Sequence, residues 1–141
     1  MKRKDNLIKR DYLCLEKLRI FYDISTEWFK GYIIGMRIEN WLIKENYRSV
    51  AVYGMGILGE LTYLTLKQSG QINVKYALDK NKNQKIKDLS TYSLGEKVEP
   101  VQLIIVTAIT SYEEIKNNIV ENIGFECQTI SLMQLLEKMY I

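Results

Sequence analysis

The chain has 141 residues, 47% hydrophobic and 26% charged, with a formal net charge of +3. A single proline, no low-complexity tract and no apolar run of membrane-spanning length describe a globular chain and exclude a disordered or helix-anchored one. Histidine is absent and the two cysteines, Cys14 and Cys127, lie far apart, so the composition speaks against a zinc site and removes the usual proton shuttle at neutral pH.

Residues 1–46 read as an N-terminal helical segment and residues 47–141 as the domain proper. Leu7, Ile8, Leu15, Leu18, Phe21 and Tyr22 recur near helical spacing, which predicts a first helix over 5–22. Residues 23–26 interrupt that pattern and offer N-cap side chains, with Glu27 in the first turn of the next helix. That second helix is expected over 26–45, apolar round most of its circumference. Lys30, Arg37 and Lys44 form its one narrow charged seam, and such a helix is covered on more than one side. Gly31 and Gly35 would admit another backbone. The cover is either the first helix of the same chain or a partner, a second copy (a homodimer) or a larger protein. Residues 1–48 hold 11 Lys/Arg and 7 Asp/Glu. The two signs are interleaved, which reads as a solvated helix face rather than a patch for nucleic acid or an anionic membrane. The opening MKRKDNLIKRDY lacks the apolar core of a signal peptide, so the cysteines are expected as free thiols and the chain as cytoplasmic, with no membrane span.

From residue 49 the pattern changes to alternating strands and helices. Residues 50–53 form a strand, and 57–68 a helix stopped by Ser69-Gly70. Val74, Tyr76 and Leu78 alternate with polar neighbours as a second strand, and residues 90–93 form a short third. Residues 103–108 are apolar on both faces, the mark of a strand covered on both sides. Thr110 and Ser111 each stand three residues before a glutamate, so a helix with a capping box is expected from there to about residue 122. Gly124 ends it, a last strand covers 127–130 and a last helix 132–140. The fold class is therefore α/β, a parallel sheet of four to five strands in the order 3-2-1-4-5 flanked by helices, with a two-helix N-terminal extension.

The loop GMGILG, residues 54–59, has the strand before it and the helix after it that a G-x-G-x-x-G phosphate loop requires, and Asp79 stands at the end of the next strand. Gly54 permits the turn, Gly56 lets an anion approach the backbone, and Gly59 lets the helix pack on the sheet. Met55, Ile57 and Leu58 lend their backbone amides, and the helix N-terminus favours negative charge. Asp79 would accept ribose hydroxyls, and Lys80 beside it either meets a phosphate or belongs to a solvated loop. The further lysines Lys82, Lys85 and Lys87 read either as phosphate ligands or as a solvated loop. The strand order reverses between residues 53 and 107, where a ligand would sit. Thr107, Ala108 and Ser111 wall that crevice on its far side, with Thr110 and Ser111 either touching ligand or only capping. Glu60 works against an anion there, and no basic residue lies inside the loop.

Residues 49–131 thus resemble a Rossmann-type nucleotide-binding domain, on VAVYGMGILGELTYLTL, VKYALDKN and LIIVTAITSYEEI. More narrowly they are similar to small Rossmann-like domains of bacterial surface-polysaccharide and nucleotide-sugar gene products, and to the C-terminal domain of sugar C-methyltransferases. A YG-x-G strand end, an xxDKN second strand end and an (I/V)VTA third motif carry that likeness. It implies a nucleotide, NAD or a nucleotide-sugar as ligand, bound by an accessory, non-catalytic module. Two other readings stay open: an enzyme subunit of epimerase or reductase type completed by oligomerisation, and a ligand-free interaction domain. Tyr63/Lys67 and Tyr76/Lys80 both read Tyr-x-x-x-Lys, but neither lies on the later helix where a carbonyl-protonating pair belongs. Cys127 reads as a core residue.

Overall fold

From residue 2 to residue 30 the chain has neither proline nor glycine, and it folds as one helix. The structure, a computed structural model, describes residues 2–81 and 88–140. Helix α1 spans Lys2–Ile33, 32 residues, or about 48 Å at the usual helical rise. The interruption expected at residues 23–26 does not occur. Ile24 is buried in the core there, and that burial decides the conformation over the capping tendency of Asp23, Ser25 and Thr26. The true stop is Gly35, at φ +90°. The Gly35 amide donates to the Tyr32 carbonyl at 3.1 Å and the Met36 amide to that of Gly31 at 2.8 Å, the paired bonds of a Schellman motif. Arg37 braces the turn: Nη1 donates to the Tyr32 and Met36 carbonyls, each at 2.9 Å, and the guanidinium lies 3.9 Å from the Tyr32 ring centroid. The expected second helix is therefore the end of α1, this turn, and a short helix α2 over Ile38–Lys44. Asn46 ends α2 with the same pair of bonds, at φ +64°.

The rest of the chain supplies five strands, β1 (Ser49–Tyr53), β2 (Asn73–Leu78), β3 (Thr91–Tyr92), β4 (Leu103–Val106) and β5 (Gln128–Ser131), with helices α3 (Ile57–Ser69), α4 (Tyr112–Asn122) and α5 (Leu132–Met139). They form one all-parallel sheet in the order β3-β2-β1-β4-β5, the order expected from the sequence. Strand β4 is buried at every residue because helices lie over both its faces. The β1–β4 pair is pinned at its amino end by Gln102. Its Oε1 accepts the Arg48 and Ser49 amides at 2.7 and 3.0 Å, and its own amide donates to the Ser49 carbonyl at 3.0 Å.

On one face of the sheet Ile24 of α1, Ile38 and Leu42 of α2, Leu66 of α3 and Leu135 of α5 meet Val50, Leu103 and Ile105 in a single cluster. The boundary expected near residue 46 is thus no break in packing, since the end of α1 and all of α2 share the core of the sheet. Gly31 is buried here because Met139 of α5 occupies the space a Cβ would need. On the opposite face Ile115, Ile119 and Ile123 of α4 cover Ala51, Tyr53, Ile104 and Val106. Residues 3–15 of α1, by contrast, are exposed throughout. No described helix is long and apolar enough to cross a membrane.

Capping differs from expectation. Ser111 precedes α4 in a left-handed conformation, φ +67°, and makes no side-chain cap bond, so the expected capping box is absent. That motif forms instead at α5, where Ser131 Oγ accepts the Gln134 amide at 3.1 Å and Gln134 Oε1 accepts the Ser131 amide at 3.0 Å.

Candidate functional site

The three glycines of the loop after β1 answer to three different demands. Gly54 has φ +96°, and a Cβ on it would lie 2.9 Å from Thr107 Oγ1 and 3.4 Å from the Ala108 nitrogen. Gly59 is buried in the first turn of α3, where a Cβ would collide with the Gly54 carbonyl. Both are required by the fold itself. Gly56 is exposed, has ordinary φ −73°, and a Cβ on it would meet nothing within 4 Å. The fold does not need glycine there, and its bareness leaves the backbone approachable from solvent.

The loop is held from three directions. The Gly54 amide donates to the Leu78 carbonyl at 2.8 Å. The Met55 amide donates to Asp79 Oδ2 at 2.7 Å, and the Met55 side chain is buried with Val52, Tyr63, Ala77 and Leu89. Thr107, 5% exposed at the end of β4, turns its hydroxyl to the Gly54 carbonyl at 2.7 Å and the Tyr53 carbonyl at 3.0 Å. Thr107 therefore faces the loop rather than the open crevice. Asp79 is half-buried, and its Oδ1 also accepts the Asn81 amide at 2.8 Å. The carboxylate expected to await a ribose is a brace for the loop, though each of its oxygens keeps a second lone pair.

What remains open is the helix end. The amides of Gly56, Ile57, Leu58 and Gly59 take no acceptor among the described residues, whereas the Glu60 amide bonds back to the Gly56 carbonyl at 3.0 Å. Four donors and the positive end of a 13-residue helix thus stand at the carboxyl ends of β1 and β4, where the strand order reverses. Ile57 is 64% exposed at their rim, while Leu58 and Gly59 are buried. Ala108 is half-buried against the loop, and Lys80, Thr110, Ser111 and Glu60 are exposed. Lys82, Lys85 and Lys87 lie outside the described residues. Tyr53, the first residue of the YG-x-G strand end, stands at the end of β1 close to Asp79. Burial, and then the charge of Asp79, push its phenol above the ordinary value.

The other chemistry-bearing residues lie elsewhere. Tyr63 is buried on α3 and Lys67 pairs with Asp88 at 3.2 Å. With Arg48 and Asn73 they border a hollow at the amino ends of β1 and β2, away from the crevice. Tyr76 donates its hydroxyl to the Glu99 carbonyl at 2.7 Å. Burial pushes the Cys127 thiol up to about 11, which keeps it protonated and poorly nucleophilic at neutral pH.

These features define a parallel α/β chain with a braced glycine loop at its topological switch point. In comparisons with known protein families, curated proteins and solved structures, nothing matches the chain.

Proposed function

We propose that this chain is an accessory, non-catalytic module that binds a nucleotide-like ligand through its phosphate at the glycine loop. One observation carries the reading: the amides at the N-terminus of α3, Gly56 to Gly59, have no acceptor among the described residues, and the first two of them, Gly56 and Ile57, belong to exposed residues at the strand-order reversal. An anion bonded there gains charge-assisted hydrogen bonds and the field of the helix end. The ligand classes that fit are dinucleotides such as NAD and nucleotide-sugars, as the resemblance to Rossmann-type domains implies. Asp79, through the lone pairs its bonds to Met55 and Asn81 leave free, takes the ribose hydroxyls. The exposed Ile57 side chain offers an apolar surface beside the phosphate.

Thermal unfolding of the chain with NAD, NADP, UDP-sugars and S-adenosylmethionine tests this. A ligand that binds the folded form raises the melting temperature, by an amount that grows with the logarithm of its concentration once that exceeds Kd. Gly56→Val is expected to lower the melting temperature by no more than an unfavourable N-cap residue costs, because a Cβ there meets nothing within 4 Å, and to lose the ligand-induced rise. Melting unmoved by every ligand at millimolar concentration, or a rise preserved in Gly56→Val, overturns the reading. The alternative of a ligand-free scaffold is favoured by one observation, that Asp79 and Thr107 both serve the loop itself.

A further inference from the structure

Helix α1 carries a line of apolar side chains that its own chain leaves in water. Ile8, Leu15, Leu18, Tyr22, Phe29 and Tyr32 are each between 54% and 68% exposed. Their spacing alternates as positions a and d of a heptad, with Asp11 and Ser25 completing the d positions, which is the period of a coiled-coil seam. This is not the face by which α1 packs on its own chain. Ile20, Phe21, Ile24, Trp28 and Gly31 carry that contact, on a face centred about 130° round the helix from the a/d line.

We propose that α1 pairs in antiparallel fashion with α1 of a second copy of this chain. Charge chooses both the occupant and its direction. Residues 2–19 hold seven Lys/Arg and three Asp/Glu, whereas residues 20–33 hold one Lys and two Asp/Glu. Antiparallel pairing lays the positive half of each helix along the negative half of the other. Parallel pairing sets positive on positive and brings Asp11 against its own copy inside the seam. With Ile8 level with the partner copy's equivalent of Tyr32, every a position meets a d position along the line, and Leu15 falls opposite the small Ser25. Beside the seam, a groove of about 350 Å³ lies between Trp28, Phe29 and Tyr32 of α1 and Leu61 and Thr65 of α3. It receives the Ile8 end of the partner helix together with Leu7. Six seam residues from each copy, at about 100 Å² apiece, bury on the order of 1,200 Å², the lower bound for a stable specific interface. The pairing is independent of any ligand at the glycine loop.

Sedimentation velocity of the full chain across the micromolar range is expected to give the dimer mass. Leu18→Glu combined with Tyr22→Glu is expected to give the monomer mass with the thermal transition retained. Direction is read by disulfide trapping in a Cys14→Ser, Cys127→Ser background. Ile8→Cys and Tyr32→Cys chains are expected to cross-link when mixed, and Ile8→Cys chains alone are not, their thiols being about 36 Å apart. A wild-type monomer overturns the proposal, as does a monomer that sediments with anionic vesicles, which would make the seam a membrane-surface helix. A dimer that survives both glutamates, or an Ile8→Cys chain that cross-links to itself, overturns it equally.

Discussion

At the mouth of β1 and β4 the open groups are backbone amides, whereas along α1 they are leucines, isoleucines and aromatic rings. The two surfaces differ in what water does for them. Water satisfies an open amide well, so the glycine loop rests at little cost until an anion replaces the water. Water does nothing for an open leucine, so the line on α1 is unfavourable until something apolar covers it. They differ in support as well. Leu78, Asp79 and Thr107 hold the loop on three sides, while residues 3–15 of α1 stand clear of the core. Braced polar groups are suited to recognising a small ligand. An unbraced apolar helix is suited to another protein surface, which supplies the missing support as it binds.

Breaking the brace is the harshest test of that contrast. Gly59→Ala places a methyl group on the Gly54 carbonyl, and backbone cannot yield as a side chain does. The expected loss is at the top of the roughly 1–3 kcal/mol range for overpacking, read as a fall in the urea midpoint. A variant as stable as wild type would mean that the close approach of loop and helix is not what holds the loop. Thr107→Val comes next, leaving the Gly54 carbonyl without its hydroxyl donor. A loss of about 1–2 kcal/mol is expected in the same titration, with Thr107→Ser recovering most of it. The smallest effect separates the sheet from α1 by pH. Cys127, at about 11 against an ordinary 9.0, and Tyr53 and Tyr76, both raised from 10.0, keep their protons longer in the folded chain than in the unfolded one. The folded state then binds more protons, so stability falls as pH climbs from 9 towards 11. Cys127→Ala is expected to move the onset of that fall towards 10, where the tyrosines begin to ionise when unfolded. An onset unchanged in urea midpoints measured across that range would remove Cys127 as its source.

The sheet was legible because its signals are local. Alternation in Val74, Tyr76 and Leu78, the all-apolar run of β4 and the glycines at 54, 59 and 70 each state a conformation without help from distant residues. The helical front end was not legible in detail, because residues that cap a helix also sit inside one when tertiary burial decides. Ile24 in the core overrides Asp23, Ser25 and Thr26, and only the left-handed turn at Gly35 ends α1. Ser111 shows the converse. Its capping pattern is correct by spacing, but the backbone reaches α4 in a left-handed conformation that carries no such bond. At the site, sequence placed Asp79 and Thr107 correctly at the strand ends. It had no means of showing that both turn towards the loop, since those partners lie 24 and 53 residues away in the chain.

Gln102 fastens β1 to β4 at one end and Thr107 at the other, with the ladder of the sheet between. Strands tied at both ends have no freedom to splay. The width of the cleft above them is thus set by the sheet, and the fixed backbone at Gly54, tied to Leu78 and Thr107, carries that spacing into the start of the glycine loop.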